Sequence, residues 1–394
     1  MLGGETTKRA ALDPDDLVGR LQAVGVERLR GEPHLWVVCD GSDRRKPHAR
    51  EMAHRQRVRR LDGTGLVPGY ATPNAIGIAP GKRGLLFHTL FGSTEPGFRS
   101  ETVERLAAIR NVGAALAPLV TDGTEVTQIF DRGFDDVDVW AAVWAQGHHL
   151  VCRVQHRNRH VFPTPEAEAA GEAVPLSDLA SALVPLARIE TELEVRLVGQ
   201  RRAKRQPVAA VVSAVPALVP SHADAAASEP GSAWRRKCWL VEVRVAGAKM
   251  EPWWLISDRP VETAEQATEV FRMYRQRWSI EDAFKLAKTC LGWEDVRVLS
   301  FDAGRLLVAL GWVATGFLFE LGVGLEWPEV RLVRRLGGGE DRANRPPGKP
   351  VLMRGLRRLL DHLATEAILA DEIRRHGALP PRLAAVLGRD PPHG

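Results

Sequence analysis

The chain has 394 residues, 44% of them hydrophobic and 26% charged, with 54 Lys and Arg against 49 Asp and Glu for a formal net charge of +5. That length and apolar content make a globular protein with a substantial core the default, as one large or two to three ordinary domains. Four scattered cysteines (Cys39, Cys152, Cys238, Cys290) without a CxxC pair argue against a disulfide framework or a zinc ribbon, and the polar start MLGGETTKRAALDPDD argues against a secretion signal.

In chain order, residues 14–25 can form one short helix. Residues 34–40 (HLWVVCD) read as an apolar strand ending in a carboxylate, and Gly41-Ser42-Asp43 follow it. Behind this strand crowd Arg44, Arg45, Lys46, Arg50, Arg55, Arg57, Arg59 and Arg60. Such a run is often only a solvated face, but beside a metal site it reads as a rim that contacts phosphates. Residues 74–79 and 85–91 can pair as a hairpin across Pro80-Gly81-Lys82-Arg83-Gly84. A helix is expected over 100–116, with Ser100 at its cap and Leu106, Ala107, Ile109, Ala114 and Leu116 on its buried side. Residues 124–131 (TEVTQIFD) are a second apolar strand ending in Asp131, continued by Arg132-Gly133-Phe134-Asp135. A helix at about 137–146 and a strand at 150–154 follow.

About 150 residues separate Asp131 from Glu281, too many for one connection in a compact core. Most of them are expected to form a small β-rich insertion, with strands near 192–199, 237–245 and 252–257. The Ala, Pro, Ser and Val-rich stretch 203–234 has no clear period and reads as a loose loop or irregular edge. Cys152, His156 and His160 lack a fourth zinc ligand, and Gly77 to Lys82 misses the nucleotide-loop spacing by one residue.

Residues 273–291 (MYRQRWSIEDAFKLAKTCL) have the length of a helix and carry Tyr274, Arg277, Glu281 and Lys288. At about 100° per residue these four fall within an arc of roughly 60°, so a hydroxyl, a carboxylate and two cations share one stripe. The cations and hydroxyl can hold phosphate oxygens while the carboxylate holds a divalent metal. Helix continues through 304–321. The apolar stretch 306–319, about fourteen residues, falls short of the roughly 20 needed to span a bilayer and reads as a buried helix. A Gly/Pro-rich linker (337–350) and a basic amphipathic tail (351–376) end the chain.

The 273–291 segment resembles the Tyr-Arg-Glu-Lys signature of prokaryotic DDE transposases of the insertion-sequence type. Trp278, directly after Arg277, also fits. DGSDRRKP from Asp40 and DRGFD from Asp131 resemble that family's first and second catalytic segments. The resemblance implies an α/β fold: a ribonuclease-H-like mixed sheet with helices, interrupted by a β-rich insertion domain and followed by a helical C-terminal region. Its expected parts are a short N-terminal remnant (1–32), the first part of the core (33–160), the insertion (161–257), the second part of the core with the catalytic Glu (258–335), and a linker with helical tail (336–394).

It further implies that Asp40, Asp131 and Glu281 are catalytic and hold two Mg²⁺ ions, for which Mn²⁺ can substitute, with Asp40 bridging both. Tyr274, Arg277 and Lys288 would contact DNA phosphates, and Trp253 or Trp254 would stack on a displaced base. Asp43 and Asp135 read instead as turn or capping residues. The implied activity is cleavage at transposon ends and strand transfer in a homodimer on double-stranded DNA, in the cytoplasm at the nucleoid and without a membrane. Such proteins usually carry an end-recognition domain before the first strand, whereas only about 33 residues precede it here. Two alternatives follow: an N-terminally truncated, non-catalytic inhibitor of a full-length relative, and a structure-specific nuclease on the same core.

Overall fold

Residues 12–49, 51–220, 235–294, 297–324, 326–339 and 348–380, with Arg382, Ala384 and Leu387, are described by the computed structural model. The first helix, α1 (Pro14–Leu29), starts where the Asp13 carboxylate accepts the Asp15 N–H at 2.8 Å, with proline in its first turn. Next come β1 (His34–Arg45), β2 (Gln56–Arg59), β3 (Leu66–Ala79), β4 (Lys82–His88), α2 (Glu101–Thr121), β5 (Glu125–Phe130), α3 (Val137–Trp144) and β6 (His149–Arg153). A small antiparallel pair, β7 (His160–Val161) and β8 (Val174–Pro175), brackets α4 (Pro165–Ala170). Four strands follow, β9 (Val184–Val195), β10 (Lys204–Pro220), β11 (Arg235–Val245) and β12 (Trp253–Ser257). The helices α5 (Ala264–Arg275), α6 (Trp278–Thr289), α7 (Phe301–Gly324), α8 (Trp327–Leu336) and α9 (Lys349–His376) complete the order.

One mixed sheet runs β2-β3-β1-β5-β6-β12-β11-β10-β9, with β4 on β3. Its centre is parallel, β1 with β5 and β5 with β6, and the strands outside are antiparallel. The expected α/β class with a mixed sheet is therefore present. Helix α2 explains much of the packing beneath it. Ser100 Oγ caps it by accepting the Val103 N–H at 3.2 Å, and Ile109, Val112, Leu116 and Leu119 recur on one buried face. They join Leu35, Val37, Phe130, Trp140, Leu150 and Ile256 in a continuous core.

Several elements differ from expectation. The stretch read as a loose loop from residue 203 is strand β10 as far as Pro220, and residues 221–234 lie outside the described ones. Val208, Ala209, Ala210, Val212, Ala214, Ala217 and Val219 are all buried, so both faces of β10 are covered and its sequence lacks alternation. Strand β9 begins at Val184, well before 192, and β12 pairs with β6, so β9 to β12 extend the central sheet itself. Strand β1 does not stop at Asp40; it continues against β3 to Arg45.

The chain divides after Val313 into two compact units. Helix α7 is longer than the expected apolar stretch, and 301–320 meets the length and composition of a membrane-crossing helix. Only part of that apolar surface is spent internally: Val308, Ala309 and Trp312 are buried, and Trp312 meets Phe284 and Trp293 edge-on at 6.0 Å, whereas Leu310, Val313 and Phe317 are exposed. In the second unit α8 packs on α9. A Cβ on Gly355 would stand 2.0 Å from the Val333 carbonyl oxygen, so only glycine allows that approach.

Candidate active site

Parallel pairing sets the first two carboxylates side by side. His34 lies opposite Glu125 and Val38 opposite Ile129, and the same register carried two residues on brings Asp40 level with Asp131. There the pairing of β1 with β5 has ended, and the carboxyl ends of parallel strands leave a crevice. Asp40 and Asp131 line it, in a cleft of about 400 Å³ with Asp43, Glu101, Arg105, Gly133 and Lys288.

Local hydrogen bonds aim both carboxylates. Asp40 Oδ1 accepts the Gly41 N–H and Asp131 Oδ1 the Gly133 N–H, each at 2.8 Å. Gly133 itself is constrained, because a Cβ there would stand 3.0 Å from Asp131 Oδ1. Burial pushes the Asp40 carboxyl up to about 7, and the charges of Asp131 and, more weakly, Glu281 act in the same direction. Arg277 and the Gly41 N–H oppose the rise.

The third carboxylate comes from α6. Arg277 Nη1 lies 2.5 Å from Glu281 Oε1 and 3.8 Å from Asp40 Oδ2, so one guanidinium bridges the two acids. Burial works against the Arg277 charge, and Glu281, Tyr274 and Asp40 more than offset it. Its Nε is buried without a hydrogen-bond partner among the described residues. Glu281 also lines a second cleft, with Arg153, Trp253, Arg275 and Trp278. Lys288, in the last turn of α6, borders the Asp40 cleft, where its Nζ donates to the Asp43 carbonyl at 3.1 Å and lies 3.6 Å from Glu294. Burial lowers its pKa, and Glu294 works against that shift.

The expected single stripe does not exist as one helix. Between α5 and α6 the bonding switches from i−4 to i−3, with Gln276 N–H to Met273 O at 2.9 Å, Arg277 N–H to Tyr274 O at 3.1 Å and Ser279 N–H to Gln276 O at 2.8 Å. Tyr274 therefore lies in the last turn of α5 and turns inward. It is 1% exposed, packed on Trp253 (5.5 Å) and Trp278 (6.3 Å), and burial raises its pKa. The expected phosphate contact from its hydroxyl is corrected by that burial.

The same applies to base stacking by Trp253 or Trp254. Trp253 is 3% exposed between Phe271, Tyr274 and Trp278, while Trp254 sits in the core, donates its Nε1–H to Glu242 at 3.1 Å and carries Arg157 on its ring. Internal packing occupies both indoles.

Of the two aspartates read as turn or capping residues, Asp135 closes the turn after Asp131, whereas Asp43 lies within β1, and both carboxylates make long-range bonds. Asp43 Oδ2 accepts the Arg59 N–H, and buried Asp135 accepts the N–H groups of Gln155 and His156 and pairs with Arg159. The basic rim is only partly a rim. Arg44 is 2% exposed and donates to Gly304 O, and buried Lys46 donates to Glu294 O, whereas Arg57, Arg59 and Arg60 are exposed; Arg50 lies outside the described residues. Two cleft residues escaped the sequence reading. Arg105 donates to the Gly133 carbonyl at 2.7 Å and stands 3.4 Å from Glu101, and their only signal was an ordinary i,i+4 charge pair on a helix.

Among the described residues, no three His, Cys, Asp or Glu side chains gather into one group able to hold an ion. The chemistry of Asp40 and Asp131 fits a hard cation, since both are oxygen donors lining one cleft and burial together with the Asp131 charge disfavours the Asp40 anion unless a positive charge compensates it. Compared with known proteins, the chain matches no family model and no curated protein.

Proposed function

We propose that this chain is a DNA transposase on a ribonuclease-H-like core, cutting transposon ends and joining the freed 3′-hydroxyl to target DNA. The observation that carries the reading is that Asp40 and Asp131 stand level just beyond the point where the parallel pairing of β1 with β5 ends, with Arg277 linking Asp40 to Glu281. Asp40 and Asp131 would hold Mg²⁺ or Mn²⁺, and Glu281 would complete the set. When bound, the metal supplies activation of the attacking oxygen and stabilisation of the leaving oxygen.

The chain's own residues bind and orient. Arg277 offers a phosphate oxygen a guanidinium already poised at the carboxylates, Lys288 adds positive charge beside Asp40, and the Gly133 turn fixes Asp131. Phosphate contacts of this kind set position without reading sequence. The partners are double-stranded DNA and a second copy of the chain, and the site of action is the cytoplasm at the nucleoid.

A structure-specific nuclease is the second reading, favoured by the inward Tyr274 and by the bond from Lys288 to Asp43 O, which engage two signature side chains internally. The test uses purified chain with a supercoiled plasmid carrying the sequences that flank its gene. With Mg²⁺ the expected products are cut ends and joined strands. Glu281→Gln is expected to abolish both while DNA binding persists, because an amide is a poor ligand for a hard cation. Undiminished cleavage by that variant would overturn the reading, and cutting without joining would select the nuclease.

A further inference from the structure

At one end of the outer strands, two loops are tied together away from the carboxylates. Val198 N–H donates to Gly247 O at 2.9 Å and Lys249 N–H to Arg196 O at 2.8 Å, which joins the β9–β10 loop to the β11–β12 loop. Side chains stiffen the first loop further. Gln206 donates to Val195 O at 2.9 Å, and Gln200 bonds to Gln206 and accepts the Leu197 N–H.

This braced tip carries Arg196, Arg201, Arg202, Lys204 and Lys249, all exposed and without an ion-pair partner among the described residues. Of the nearby carboxylates, Glu192 pairs with Arg205 at 3.1 Å and Glu251 with Arg157 at 3.2 Å, while Glu194, opposite Arg205 in the ladder, leaves one negative charge against the five cations. Five exposed cations without ion-pair partners among the described residues, on two loops held together by backbone bonds, offer an array that phosphates could neutralise.

The tip also continues into the cleft already described. Arg205, next to Lys204, lines that cleft, where the cations Arg153, Arg272, Arg275, Arg277 and Lys285 outnumber the acids Glu192, Glu194, Glu281 and Asp282. Cationic crowding persists along it, since burial lowers the Arg275 pKa and the Arg205 charge lowers it further.

We propose that the joined tip, through Arg196, Arg201, Arg202, Lys204 and Lys249, is a phosphate-binding surface for duplex DNA, holding the duplex beyond the segment at the carboxylates. This rests on the proposed function only for its choice of DNA. A backbone-tracking surface of this type adds affinity and salt dependence without base specificity.

The experiment compares the full chain with a variant carrying Arg196→Gln, Arg201→Gln, Arg202→Gln, Lys204→Gln and Lys249→Gln. Duplex affinity is titrated over a range of salt, and thermal denaturation checks the fold. The expected result is an unchanged thermal transition, at least about tenfold weaker binding at near-physiological salt, and a salt slope shallower by roughly 0.9 for each phosphate no longer neutralised. A wild-type slope in the variant would reject the tip and leave the carboxylate site standing. A reduced slope in a chain that never cleaves DNA would keep the tip and reject the transposase reading. Preference of the wild-type chain for anionic phospholipid vesicles or a polyglutamate peptide over duplex would also reject the proposal.

Discussion

Asp40 occupies surroundings that disfavour its charge: burial pushes its carboxyl up to about 7, and the charges of Asp131, level with it, and of Glu281 act in the same direction. An unfolded aspartate titrates near 3.9, so between roughly pH 4 and 7 the folded protein keeps a proton that the unfolded chain has released. Stability contributed by the neutral carboxyl therefore falls as pH rises through that window and is constant above it. Asp40→Asn retains an oxygen for the Gly41 N–H and removes the ionisation. We expect the variant to gain at most a few kcal/mol at pH 8 and almost nothing at pH 4 without divalent metal. Urea denaturation at the two pH values checks this. An equal effect at both would show that Asp40 ionises freely.

At the scale of elements, the break between α5 and α6 decides what the Tyr-Arg-Glu-Lys pattern can do. If Tyr274 is a packing residue, as its contacts with Trp253 and Trp278 indicate, Tyr274→Phe leaves DNA affinity and its salt slope unchanged. Tyr274→Ala, by contrast, should cost about 3–5 kcal/mol of stability, the range for removing a buried aromatic ring. Filter-binding titration and chemical denaturation separate the outcomes, and weaker binding by the Phe variant at an unchanged salt slope and stability would restore the hydroxyl to a phosphate.

The strands carrying Asp40 and leading to Asp131 were legible because an apolar run followed by a carboxylate is a local signal, whereas the continuation of β1 past Asp40 to Arg45 was not, because it rests on pairing with β3. The turn at Gln276 and Arg277 was not, since both residues keep right-handed helical angles and only the hydrogen-bond ladder shifts. Strand β10 was hidden for another reason: with both faces buried its sequence has no period of two. The inward turn of Arg44, Lys46 and Lys288 depends on Gly304, Glu294 and Asp43, partners up to 260 positions away for which the sequence carries no signal.

Over the molecule as a whole, the sheet links the chemistry to its flanks. Its parallel centre aligns Asp40 with Asp131, while β12 to β9 carry it outward beside α5 and the cleft where Glu281 and Arg277 meet. Sequence motifs located the carboxylates, but their mutual register and the Arg277 bridge emerge only from this long-range pairing. The central claim is that Asp40 and Asp131 jointly hold a divalent cation, and a calorimetric titration with Mn²⁺ tests it most directly. The account predicts binding by the wild-type chain that strengthens as pH rises toward 7, because the cation displaces the Asp40 proton, and that is abolished in Asp40→Asn combined with Asp131→Asn. Identical Mn²⁺ binding by the double variant and the wild type, or no binding by either, would contradict it.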